Sequence, residues 1–182
     1  MKSPAALLVG MLATTTTGIA DAAAAAKTHP TVFFIRHGEK PDSGNGLNAQ
    51  GLARAQCLRS VFGASSPYNI GYIMAQQPKS NGKRQRPLDT VQPLAADLGL
   101  AVDTSCDRDD EGCVKDAVKG YTGSGNILIC WEHKELKKIA QKLGADNAPS
   151  YPDDRFDLIW TDPYDYDSIT TIASENCPDL DH

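Results

Sequence analysis

Positive charge is scarce in this chain. Its 18 Lys and Arg residues are outnumbered by 23 Asp and Glu, giving a formal net charge of −5. That balance excludes a generic nucleic-acid binder, which carries a basic surface. An acidic chain still holds phosphate where its few cations converge. No Cys-x-x-Cys spacing is present to suggest zinc or redox catalysis, and no Asn-x-Ser/Thr sequon to suggest N-glycosylation. The N-terminal apolar run, Ala5 to Met11, gives way to Thr14–Thr17. It is too short and too polar to span a bilayer, and no membrane partner is expected. There is no internal repeat and no linker-like stretch. The 182 residues therefore read as one domain with a sizeable core.

What the N-terminus does have is the form of a secretory signal over residues 1–22. Lys2 is a minimal positive start, an apolar run follows, and Ala20-Asp21-Ala22 supplies a small-x-small cleavage site. Its removal takes away Lys2 and Asp21 together and leaves the net charge unchanged. The expectation is a secreted, extracellular protein whose folded domain covers 27–182. Export permits disulfides. Of the five cysteines, Cys106 and Cys113 bracket a short acidic loop and are the best pair. Cys130 lies in an apolar strand as a small buried hydrophobe. Cys57 and Cys177 stay unassigned, and the odd count leaves at least one thiol free or intermolecular.

Strand and helix patterns alternate along the rest of the chain. Thr31 to Ile35 is an apolar, β-branched and aromatic run, the pattern of a buried central strand. Asn48 is placed to cap a helix in which Leu52, Ala55, Leu58, Val61 and Phe62 recur at helical spacing. Ile70 to Ala75 is a second strand. A polar loop with four cations follows, then a helix opened by Pro87, with Pro93 expected to kink it and Gly99 to end it. Short strand 100–102, the acidic cysteine loop and a weak helix over 114–119 lead to a fourth strand, Asn126 to Trp131. An amphipathic helix then carries Leu136, Ile139, Ala140 and Leu143. Phe156 to Trp160 is a fifth strand, and Ser168 to Ala173 a sixth at an edge. Nine acidic residues and one arginine from residue 151 onward predict a solvated end away from any anion site. The alternation implies an α/β fold, a three-layer α/β/α sandwich on a mostly parallel sheet.

Four histidines are present, and the two inside the predicted core, His37 and His133, each follow a buried apolar strand. In open α/β sheets ligands bind beyond the carboxyl ends of the strands. Arg36 belongs to the same edge. Arg86 stands at a helix start, where free N–H groups and the helix dipole already favour an anion. Two arginines, two histidines and a helix N-terminus make a pocket for a dianionic phosphate. The guanidinium fork matches phosphate oxygens, and histidine can serve as the nucleophile of phosphoryl transfer.

Arg36-His37-Gly38-Glu39 resembles the signature of the histidine phosphatase superfamily, the phosphoglycerate mutase-like proteins that include phytases and acid phosphatases. The resemblance extends to Leu47–Ala55, similar to the family's Leu-Thr-x-x-Gly-x-x-x-Ala helix opening. Arg86–Ala95 is similar to its Arg-x-x-x-Thr-Ala-x-Pro-Leu-Ala segment, and Ile127–His133 to the strand before its second histidine. Order and spacing agree over 31–144. The resemblance implies that His37 is phosphorylated, that Arg36, Arg86 and His133 bind the phosphoryl group, and that no metal or other cofactor is needed.

Three departures stand beside it. Gln76-Gln77 and a longer basic loop replace the region where the family often has a serine. Lys79, Lys83 and Arg84 in that loop read as solvated. The proton donor to the leaving group is left open. Lys134 stands where phytase-like members have aspartate; Glu132, Glu135 and the acids at 107–111 are candidates, and the loop itself reads as a disulfide-pinned turn. Glu39 is expected to pair with a pocket cation. The function expected is hydrolysis of a small phosphorylated substrate, a phosphomonoester. Mutase-type phosphoryl transfer and a non-catalytic, secreted phosphate-binding protein are the alternatives.

Overall fold

The structure, a computed structural model, describes residues 29–180. The expected secretory segment 1–22, the first residues of the domain from 27, and His182 lie outside them. Six strands form one sheet in the order β3-β2-β4-β1-β5-β6. They are β1 (Val32–Arg36), β2 (Ile70–Ala75), β3 (Val102–Asp103), β4 (Asn126–Trp131), β5 (Leu158–Asp162) and β6 (Thr171–Ser174). Strands β1 to β4 pair in parallel, and β5 and β6 add antiparallel at one side. Helices α1 (Ala49–Val61), α2 (Arg86–Leu98), α3 (Glu111–Gly120) and α4 (His133–Leu143) fill the connections.

Alternation along each strand divides the apolar residues into two cores. Phe33 and Ile35 face Leu58 of α1, Phe62 at its C-terminal cap, and Val91 and Leu94 of α2. Val32 and Phe34 face Val114 and Val118 of α3 and Leu136 and Ile139 of α4. Helices thus cover both faces, and the three-layer sandwich is what the chain builds. Central strands covered on both faces need continuous apolar runs, and every residue of β1 is buried.

Several local expectations hold and others shift. Asn48 caps α1, its side-chain oxygen accepting from Gly51 N at 2.9 Å. Leu52 is exposed and is not part of that helix's buried face. Gly99 ends α2 in the left-handed region, where a side chain would be strained. Pro93 sits within α2, which runs on to Leu98; its ring removes one helical N–H. Helix α3 starts earlier than its apolar pattern, because Asp110 caps it through Cys113 N at 2.9 Å. Two disulfides form, Cys106–Cys113 and Cys57–Cys177, and Cys130 is free and buried.

The largest correction concerns the acidic end. Asp157, Asp162 and Glu175 are buried, and residues 152–156 pack against Arg36. Charge density suggested solvent; ion pairs with Arg155 and Arg54 draw two of these carboxylates inward.

Candidate active site

Strands β1 and β4 are hydrogen-bonded neighbours in register, Arg36 opposite Trp131. His37 N donates to Trp131 O at 3.2 Å. Because the two strands are parallel, both leave the sheet on the same side, and both histidines are delivered to one edge. Two glycines bring the β1 tip onto α1. A Cβ on Gly38 would stand 3.0 Å from Gly51 Cα, and one on Gly51 would stand 2.4 Å from Glu39 O. Thr90 fastens the same tip to α2: its Oγ accepts from Gly38 N at 2.9 Å and donates to Arg86 O at 2.8 Å. The glycines and the threonine of the motifs are therefore scaffolding that sets the position of His37 and Arg86.

His37 Nδ1 lies 2.7 Å from Gly38 O. A carbonyl only accepts, so Nδ1 carries the hydrogen and Nε2 keeps its lone pair. Burial, together with the charges of Arg36, Arg86 and His133, pushes the imidazole pKa down to about 4. Near neutral pH His37 is an uncharged base with its tautomer fixed.

Each pocket arginine is held by carbonyls. Arg36 Nη1 donates to Asp153 O at 2.8 Å and Arg155 O at 2.6 Å, and its guanidinium stacks 3.7 Å over Phe156. Arg86, at the N-terminus of α2, donates to Gly44 O at 2.6 Å and Gly46 O at 3.0 Å. Carbonyls orient a guanidinium without cancelling its charge, although the carboxylates of Glu132, Asp153 and Glu39 act on Arg36.

His133 opens α4. Its Nδ1 is 2.7 Å from Glu132 Oε1 and its Nε2 is 2.6 Å from Asp153 Oδ1. Glu132 also accepts from Lys134 N at 3.2 Å and so caps α4. The four expected phosphate groups do not open into one cavity. Arg36 and His133 line a groove of about 500 Å³ with Lys40, Asn48 and Asp153. His37 and Arg86 line a smaller pocket of about 120 Å³ with Gln76, Arg84, Pro87, Arg108 and Glu132. His37 lines the smaller pocket, apart from the groove of Arg36 and His133.

Of the open candidates for proton donor, Glu132 is the carboxyl that lines the His37 pocket. Glu135 is buried against Lys138 at 2.8 Å. Asp107 and Asp109 pair with Arg84, and Asp110 caps α3. Glu39, expected to pair with a pocket cation, pairs instead at 2.7 Å with Arg54 of α1, which lines neither the groove nor the His37 pocket. Arg84 and Arg108 line the pocket, Arg108 with its side chain still 36% exposed. Arg84 lies in a loop whose composition predicts solvent and Arg108 in an acidic turn; the signal for both is their charge, which local composition masks. Among the described residues no group of three or more His, Cys, Asp or Glu forms a metal cluster.

The six-strand, mostly parallel sheet with its four helices resembles the histidine phosphatase α/β fold. Two solved structures make the comparison concrete. The Agrobacterium tumefaciens protein assigned as the phosphohistidine phosphatase SixA aligns with a TM-score of 0.57 at 13% identity, over 80% of this chain and 98% of that one. A protein histidine phosphatase SixA solved with tungstate aligns with a TM-score of 0.58 at 14% identity, over 80% and 97%. No family model matches the chain, and no curated protein matches it.

Proposed function

We propose that this protein is a phosphatase that hydrolyses small phosphomonoesters through a phosphohistidine on His37. The observation that carries the reading is the state of His37: Nδ1 committed to Gly38 O and the ring neutral down to about pH 4. A free imidazole lone pair in a pocket shared with the Arg86 guanidinium is what attack on a phosphate dianion requires. The likeness in fold to SixA proteins, one of them bound to tungstate, a tetrahedral oxyanion, supports the same chemistry.

In this reaction His37 Nε2 attacks phosphorus, and the bond from phosphorus to the ester oxygen breaks. Arg36, Arg86 and His133 take up the charge on the equatorial oxygens. Glu132, the carboxyl that lines the His37 pocket, is the donor of the proton to the departing oxygen. The resulting carboxylate then takes a proton from water, the hydroxide attacks phosphorus, and the P–N bond breaks to return the lone pair to Nε2. We further infer export to an oxidising compartment, supported by the N-terminal signal pattern and by two disulfides.

The test is release of phosphate from an aryl phosphate by the mature protein beside His37→Ala and Glu132→Gln. Loss to background is expected for the first, with disappearance of an acid-labile, base-stable phospho-adduct. For the second, kcat is expected to drop about 10²–10⁴-fold. Equal, background release from wild type and His37→Ala would overturn the enzyme reading.

A further inference from the structure

The phosphoryl chemistry leaves Gln76 without a role. This residue directly follows β2, lines the His37 pocket together with Glu132, and is only 2% exposed. Burying an uncharged amide beside a phosphate pocket costs free energy unless its polar atoms are paired.

The pairing begins where the sheet ends. Strands β2 and β4 run in parallel, and their last matched residues are Ala75 and Cys130. Past that point the Gln76 side chain continues the ladder, its Oε1 accepting from Glu132 N at 3.1 Å. A backbone N–H must meet an acceptor, so the amide orientation is fixed, with Nε2 3.5 Å from Arg84 O. The main chain around Gln76 is anchored on both sides. Ala75 belongs to the sheet, and Gln77 N donates to Cys106 O at 2.8 Å, in the loop closed by the Cys106–Cys113 disulfide.

The other end of the same peptide unit is also held. Trp131 O, its carbonyl, accepts from His37 N at 3.2 Å. The Trp131–Glu132 peptide is planar. Bonds at both its C=O and its N–H therefore fix the plane from which the Glu132 side chain departs. The Glu132 carboxyl itself meets His133 Nδ1 at 2.7 Å and Lys134 N at 3.2 Å. Both of those partners belong to the first turn of α4. Among the bonds to Glu132, only the one from Gln76 ties it to β2.

We propose that Gln76 is a positioning residue: by accepting from Glu132 N it holds the Trp131–Glu132 peptide so that the Glu132 carboxyl meets the departing ester oxygen. The inference rests on the phosphatase reading, in which Glu132 gives that oxygen its proton. Its consequence is a dependence on the leaving group. A nitrophenolate departs readily without a proton, whereas a benzyl alkoxide needs one as the P–O bond breaks. Misplacing the proton donor costs the second ester more; a general loosening of the pocket costs both alike.

Values of kcat/KM for wild type, Gln76→Met and Gln76→Glu on p-nitrophenyl phosphate and benzyl phosphate test it, since kcat/KM does not include the later hydrolysis of the phosphohistidine. Gln76→Met keeps length and bulk but has only a weak acceptor. It is expected to lower kcat/KM for benzyl phosphate about tenfold more than for the nitrophenyl ester. Gln76→Glu retains an oxygen acceptor for Glu132 N and should recover most of that difference. Equal losses on the two esters in folded variants, or no loss on either, would overturn the proposal. The 13C resonance of the Glu132 side-chain carboxyl reads the placement without turnover. It should move in Gln76→Met, and a resonance that stays put would likewise overturn the proposal. A wild type that turns over neither ester, with that resonance displaced in Gln76→Met, would sink the phosphatase reading alone.

Discussion

His37 illustrates how far a single side chain can be argued. Its folded pKa of about 4 lies below the ordinary 6.5. Between these values the unfolded chain binds a proton that the folded chain excludes. The stability this group allows is therefore complete above about pH 6.5 and is lost as pH falls through 4, by about 3 kcal/mol. An imidazole resonance titrating near 4 by NMR, and a smaller loss of denaturant stability from pH 7 to 4 in His37→Gln, are the expected results; titration near 6.5 would refute the burial argument. Asp153 is a second case. Its carboxylate occupies His133 Nε2 at 2.6 Å yet is itself largely exposed, and the imidazole beside it holds its pKa below the usual carboxylate range. It sits where it competes with an incoming oxyanion. Asp153→Asn should tighten binding of inorganic phosphate or tungstate about two- to fivefold at low salt, the range of an exposed ion pair. Weaker binding would instead make Asp153 a support for His133.

At the scale of elements, the junction of β1, α1 and α2 does most of the positioning. Thr90 is fully buried and bridges Gly38 N and Arg86 O. Thr90→Val keeps the shape but leaves the Gly38 N–H unpaired, which costs about 1–3 kcal/mol. Phosphatase activity should fall more than stability alone explains, because the tip bearing His37 is freed from the helix bearing Arg86. Unchanged activity in a stably folded variant would show that Gly51 packing suffices. This junction was legible from sequence: buried strands announce themselves as apolar runs, and Arg36, His37, Arg86 and His133 stand at their ends or at a helix start. The 152–156 strap was not legible. It acts through backbone carbonyls and the face of Phe156, which no side-chain pattern encodes, and its acidic residues suggested solvent. Arg108 was hidden for the same reason, by the four acids of the 107–111 loop around it.

Across the whole molecule, the C-terminal segment is tied back to α1 by one buried cluster. Arg54, almost fully buried, pairs with Glu39 at 2.7 Å and Glu175 at 2.6 Å, and donates to Leu180 O at 3.0 Å. The helical pattern gave no sign of it, because a charge in an amphipathic helix normally marks the wet face. Beside this cluster Cys57 and Cys177, which composition left without partners, close a loop with a sequence separation of 120. A bond across so long a loop restricts the unfolded chain strongly. Its removal is expected to cost about 2–5 kcal/mol. At about 2–4 °C per kcal/mol for a chain of this size, the melting temperature should drop by about 4–20 °C. Replacing both cysteines with serine avoids a stray thiol, and the Glu39–Arg54 pair, with its own bonds to the guanidinium, still holds the β1 tip. Activity at 10 °C should therefore stay near wild type while thermal unfolding shifts. If the cysteine-to-serine protein melts normally, the tether is the Arg54 cluster alone. If it loses activity in the cold while still folded, the C-terminal segment is part of what sets the geometry at His37.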